Sequence, residues 1–155
     1  MKISILAIGR TDEDAIKTLI DKYSKRLGRF CQFEFKTVAD VNRKQPVEQQ
    51  KKKEAEIFLR HIKKNQHIIL LDEKGKMFSS IEFSNWIAKK GVQSESSLIF
   101  LIGGPYGFDN SIYQLNHEKV ALSKMTFSHQ MVRPFIIEQI YRAFSIINRL
   151  PYHHH

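Results

Sequence analysis

Ser97-Leu-Ile-Phe-Leu-Ile102 runs without a break into Gly103-Gly104-Pro105-Tyr106-Gly107. An all-apolar run with no alternation is buried on both faces, the signature of a central strand in a parallel sheet covered by helices on either side. The glycines beyond it let backbone approach a flat ligand closely, and Pro105 stiffens the turn. Their spacing is not the G-x-G-x-x-G of dinucleotide folds, and no Gly-Lys-Ser/Thr follows to make a phosphate loop. Nucleoside triphosphates and nicotinamide cofactors are therefore disfavoured. The glycines alone leave two readings open, a plain tight turn and a ligand-binding loop.

Upstream of this junction, Lys2 to Ile8 is a β-rich run closed by Gly9. A helix follows, with Asp12 or Asp14 as its cap, Ile16, Leu19, Ile20, Tyr23 and Leu27 at helical spacing, and Gly28 at its end. Cys31 to Val38 alternates as a strand with Phe33 and Phe35 on one face. Pro46 to about Lys64 predicts a charged helix with Ala55, Phe58, Leu59 and Ile62 inward and Lys51, Lys52 and Lys53 on its solvated side. His67 to Leu71 reads as a short buried strand ending in the polar turn Asp72-Glu73-Lys74-Gly75. Ser79 or Ser80 then caps a helix through Trp86 to Lys90.

Downstream, a short helix is expected near Ser111 to His117 and a last strand around Val120 to Leu122. A loop from Ser123 to Gln130 leads to a final helix. Its stripe of Val132, Phe135, Ile136, Ile140, Phe144 and Ile147 is wide enough to cover both a sheet and a partner. Strands alternating with helices predict an α/β domain with a mostly parallel sheet, and such sheets bind ligands beyond the carboxyl ends of their strands. Leu71 with its turn, the Gly103 to Gly107 loop and the Leu122 to Phe127 loop all fall at such ends.

The chain has 155 residues, 42% of them hydrophobic, enough for one core and too few for two comfortable domains. No run approaches the roughly 18 consecutive apolar residues of a membrane span, and nothing at Met1-Lys2 reads as a signal peptide, so a cytoplasmic protein without a membrane partner is expected. Cys31 is the only cysteine. It excludes an internal disulfide, makes a poor start for a metal site, and reads as a buried small residue. Twenty-five Lys and Arg against 16 Asp and Glu give a formal charge of +9, which suits a polyanion without specifying one.

Four stretches carry a family likeness: Leu-Ile-Gly-Gly-Pro-x-Gly at 101–107, Leu-Ser-Lys-Met-Thr-Phe-Ser-His-Gln-Met-Val-Arg at 122–133, Ile-Glu-Gln-Ile-Tyr-Arg-Ala-Phe at 137–144, and Pro-Tyr-His at 151–153. With Lys-Ile-x-Ile-Leu-Ala-Ile-Gly at the amino terminus and Leu-Leu-Asp-Glu-Lys-Gly-Lys at 70–76, the chain resembles, in order and throughout, the 23S ribosomal RNA pseudouridine-1915 N3-methyltransferase family of the SPOUT superfamily. Pro134 departs from the pattern, where an aliphatic residue is expected, and leaves the start of the last helix open.

The resemblance implies a single α/β-knot domain over 1–153, with a trefoil knot near the carboxyl terminus and residues 154–155 as a tail, native or a tag remnant. It implies a homodimer acting on 23S rRNA within the ribosome, with S-adenosyl-L-methionine as cofactor and no metal. The matching cofactor positions are Leu71, Gly103, Leu122, Ser123, Lys124, Met125, Thr126 and Phe127.

Methyl transfer from a sulfonium asks a protein mainly for positioning, and the weakly acidic imide N3 gains from a nearby cation or base. His129, Arg133, Glu138, Arg142, Tyr152 and His153 are the polar candidates. His129 can instead cap the last helix, Arg133 can face solvent, Glu138 and Arg142 can pair at i,i+4, and the tail can fray. His129 and Arg133 flank the expected cofactor loop, and Tyr152 and His153 match the family's tail, so these four are the expected catalytic set. The rivals are a non-enzymatic, ribosome-associated RNA-binding module and, with its phosphate loop missing, a small nucleotide hydrolase.

Overall fold

The structure, a computed structural model, describes residues 1–41, 44–92, 97–115 and 117–154. Its elements run β1 (Lys2–Ile8), α1 (Asp14–Leu27), β2 (Gln32–Val38), α2 (Val47–His61), β3 (His67–Met77), α3 (Ser80–Val92), β4 (Ser97–Ile102), α4 (Asn110–Tyr113), β5 (His117–Ala121) and α5 (Val132–Ile147). The five strands form one sheet in the order β2-β1-β4-β3-β5, and every pairing is parallel. β4 lies at the centre, and its Leu98 to Ile102 are buried throughout, as an all-apolar run requires.

Successive crossovers step across the sheet in opposite directions. Because each such crossover is right-handed, reversing direction reverses the face on which its helix packs. The core divides accordingly. Ile16, Ile20, Phe83, Ile87, Ile136 and Ile140 bring α1, α3 and α5 onto one face, while Ala55, Phe58, Phe108 and Ile112 bring α2 and α4 onto the other.

Several boundaries differ from expectation for local reasons. Neither Asp12 nor Asp14 caps α1; Glu13 precedes it without a side-chain bond, and Asp14 sits in the first turn, where its carboxylate meets Lys17 at 3.2 Å. Leu19 and Leu59, expected inward, are exposed. α2 begins directly after Pro46 and stops at His61, short of Lys64, because Ile62 is extended. α3 opens on a capping box in which Glu82 N donates to Ser79 Oγ and Ser79 N donates to Glu82 Oε2. The expected helix from Ser111 to His117 is one turn, Asn110–Tyr113, capped by Asp109, which accepts from Ser111 N at 2.9 Å. Asn116 and His155 lie outside the described residues.

The largest correction concerns β3. Asp72-Glu73-Lys74-Gly75 does not end the strand; it is an excursion, after which Lys76 and Met77 rejoin β5 opposite Val120 and Ala121. Gly75 makes this possible, since a Cβ there would stand 2.6 Å from backbone atoms of Val120. In α5, Pro134 falls in the first turn, where its missing N–H costs nothing, so the helix starts cleanly at Val132. Its buried face is Arg133, Ile136, Ile137, Ile140 and Phe144, while Phe135 and Ile147 remain exposed. Cys31 is a free, buried thiol, and burial pushes it up to about 11.

Candidate active site

β3 and β4 are neighbours whose following helices pack on opposite faces, so their carboxyl ends part into a crevice. The segment after β5, on the far side of β3, closes it. The result is a cleft of about 440 Å³, in the range of small-molecule sites. Leu71, Gly103, Leu122, Ser123, Met125, Thr126 and Phe127 line it, and so does His129. Lys124 belongs to the same loop but is not among the lining residues.

Each wall has its own support. The glycine loop is closed by a bridge between Gly104 and Gly107, with Gly107 N donating to Gly104 O at 3.2 Å and Gly107 at φ 74°, where a side chain is strained. A Cβ on Gly103 would touch Gly107 O and the Phe108 ring at 3.4 Å, so a larger side chain would crowd the turn. The β3 excursion is latched to α4 by the Tyr113 hydroxyl, which donates to Asp72 Oδ2 at 2.5 Å, while Asp72 Oδ1 accepts from Lys74 N at 2.8 Å. Burial first, then the hydrogen bond and charge of Asp72, push Tyr113 up to about 12. Lys119 lies over the Tyr113 ring at 4.4 Å.

The third wall, residues 123–130, is open and exposed in its middle, with Met125 78% accessible, and tied down at its end. Gln130 Nε2 donates to Arg10 O at 2.8 Å, and Asp12 N donates to Gln130 Oε1 at 3.2 Å. Arg133 is completely buried. Its guanidinium donates to His129 O at 2.9 Å, Thr11 Oγ1 at 2.8 Å and Ile8 O at 2.8 Å, joining the loop to the carboxyl end of β1. Burial draws its pKa below the usual value, with Asp12 and Asp40 pulling the other way. Arg133 therefore faces neither solvent nor the cleft.

Tyr152 and His153 lie elsewhere, on the outer side of α1 and α5. The Tyr152 hydroxyl donates to Glu138 Oε1 at 2.9 Å and meets the Tyr23 hydroxyl at 3.1 Å. Glu138 and Arg142 do pair at i,i+4, Nη2 to Oε1 at 2.6 Å, and Arg142 also covers the Tyr152 ring and reaches His153 Nδ1 at 3.4 Å. Burial, then the bonds to Tyr23 and Glu138, push the Tyr152 hydroxyl well above its ordinary value. The tail is thus packed, not frayed.

Sequence reasoning missed Asp72 and Tyr113 as a pair, and missed Glu54, which reaches the glycine loop from α2. Asp72 was hidden in an apparent turn and Glu54 in a run of surface charge. Apolar side chains stand beside the backbone of Gly103 on the cleft wall, a lining suited to a flat ligand. Among the described residues no cluster of three or more His, Cys, Asp or Glu is placed to hold a metal, and no helix is long and apolar enough to cross a membrane.

A family model described as "Predicted SPOUT methyltransferase" matches residues 1–153. Curated relatives named ribosomal RNA large subunit methyltransferase H, from Flavobacterium psychrophilum and Flavobacterium johnsoniae, are each 47% identical over 156 residues, covering 99% of this chain and 99% of theirs. One of the same name from Parabacteroides distasonis is 44% identical with equal coverage. The match spans the sheet, the glycine loop and the tail through His153, and the chain belongs to the SPOUT methyltransferase family.

Proposed function

We propose that the chain is an S-adenosylmethionine-dependent methyltransferase that acts on 23S ribosomal RNA in the large subunit, at N3 of pseudouridine 1915. The observation that carries this is the convergence of Leu71, the Gly103 loop and Leu122, Ser123, Met125, Thr126 and Phe127 on one cleft beside the Asp72–Gly75 excursion of β3 and the carboxyl ends of β4 and β5. The names of the full-length relatives support the RNA substrate. Nothing favours a non-enzymatic RNA-binding module over this.

When bound in the cleft, S-adenosylmethionine supplies a methyl group already attached to a sulfonium leaving group. The protein's own task is alignment and help with the imide proton. His129 borders the cleft and would take that proton. Arg133 acts through His129 and the loop, as a positioning residue. Tyr152 and His153 serve the RNA from outside the cofactor cleft.

The same proposal includes a knotted carboxyl-terminal region, supported by the return of residues 128–133 to Ile8, Arg10 and Thr11. It includes a cytoplasmic homodimer, supported by Phe127, Met131, Phe135 and Ile147, large apolar side chains exposed on and beside α5. Calorimetric titration with S-adenosylmethionine, followed by tritiated methyl transfer to ribosomes, tests the proposal. Binding and transfer are expected. A folded chain that binds ribosomes and not the cofactor would overturn it.

A further inference from the structure

We infer that Glu54 is a positioning residue for the cofactor loop, a role that rests on the cofactor assignment above. α2 turns Lys52 and Lys53 to solvent, yet Glu54 beside them is only 4% exposed. Its carboxylate lies beneath the glycine loop, where Oε2 accepts the Gly104 N–H at 3.3 Å. A Cβ on residue 104 would be 2.9 Å from that oxygen and 3.0 Å from the carboxyl carbon, so a side chain there would displace the carboxylate from this position. Four residues on, Phe58 packs its ring 5.8 Å from Phe108, the first residue past the loop. One helix therefore fixes the loop at both ends, by a hydrogen bond at Gly104 and by apolar contact at Phe108.

The consequence follows from peptide geometry. In a trans peptide the N–H and the preceding C=O point in opposite directions. Once Gly104 N–H is committed to Glu54, the Gly103 carbonyl is turned to the side of the loop away from α2, and Gly103 lines the cleft. Glu54 thus fixes the orientation of a backbone acceptor for a donor on the adenine edge, without touching the cofactor.

The variants E54Q, E54D, E54A and G104A, each checked for fold by circular dichroism, are titrated with S-adenosylmethionine and assayed on ribosomes. Glutamine keeps an acceptor at the same reach and should bind within about twofold of the unaltered chain. Aspartate, one methylene too short, and alanine should each raise Kd and the cofactor KM roughly tenfold, the loss of one charge-assisted bond. At saturating cofactor, kcat should stay within about twofold for all three. G104A should weaken binding too, and E54A/G104A should be no worse than G104A alone, since both act on one peptide. Equal affinity of E54D and the unaltered chain, or strictly additive effects in the double variant, would overturn the inference while leaving the cofactor assignment intact. Failure of the unaltered chain to bind would overturn both.

Discussion

Replacing Arg133 with methionine keeps most of the side-chain volume and removes three donated hydrogen bonds. The bond to Ile8 O is fully buried, so that carbonyl loses its partner without access to water. An orphaned buried acceptor costs about 1–3 kcal/mol. Thr11 Oγ1 and His129 O are only partly buried and recover part of their loss from solvent, about 1 kcal/mol each remaining. Relief from holding a desolvated guanidinium offsets some of this. The net expectation is a loss of about 3 kcal/mol, a large share of the roughly 5–15 kcal/mol by which such domains are stable. Urea unfolding at constant slope measures it directly. In the folded variant, affinity for S-adenosylmethionine should also fall, because residues 123–130 lose their anchor to β1. A stability change below about 1 kcal/mol together with abolished methyl transfer would refute the positioning role and return Arg133 to the chemistry itself.

Gly75→Ala should cost at least about 2 kcal/mol, since its methyl meets backbone of β5 that cannot move aside; thermal unfolding no different from the unaltered chain would contradict the packing described. Glu118 accepts from His67, Trp86 and Lys90, and although desolvation is the strongest single influence and acts upward, these bonds together hold its carboxyl below the usual range. A depressed carboxylate stabilises the fold above its unfolded pKa and loses that contribution as pH falls through the folded one. Glu118→Gln should therefore be less stable by about 1 kcal/mol at neutral pH, allowing for its partial exposure, with the gap closing below the carboxylate range; a pH-independent difference would disprove the linkage. Deleting residues from Pro151 onward should leave cofactor affinity near normal and collapse methylation of ribosomes, with a modest loss of stability from the bonds of Tyr152 to Glu138 and Tyr23. Full activity in that truncation would leave His129 as the better candidate.

What could be read in advance followed hydrophobic period. β1, β4 and most of the inward face of α1 announce themselves because burial on one or both sides selects apolar residues at fixed spacing, whereas Leu19 and Leu59 fit the spacing and are exposed. The second half of β3 did not, since Asp72 to Gly75 is polar and its return to β5 depends on a glycine pressed against another strand's backbone. The cleft's lining was legible at the ends of β4 and β5 and at Leu71, where β3 turns into its excursion and does not end. Its supports were not. Arg133 in a helical sequence looks the same whether it faces water or is sealed among carbonyls, and Glu54 follows three lysines as any surface acid would. Charge in a sequence carries no sign of depth. The tail, expected to serve catalysis, packs against α1 and α5 through Tyr23, Glu138 and Arg142, contacts that no local pattern at 151–153 announces.

The cleft is completed by β5, the loop after it and the first turn of α5, all drawn from the end of the chain and paired with strands made much earlier. During synthesis, a chain that has emerged only as far as Gly103 possesses the central strand but no place for a ligand. Parallel strands brought together from distant parts of a sequence also pair slowly. Until β5 has emerged, the edge of β3 that it pairs has no partner strand. Cofactor capture, which would stabilise the finished protein by mass action, cannot rescue that interval. Conditions that delay the last strand should therefore lower yield more than they lower the activity of molecules that succeed.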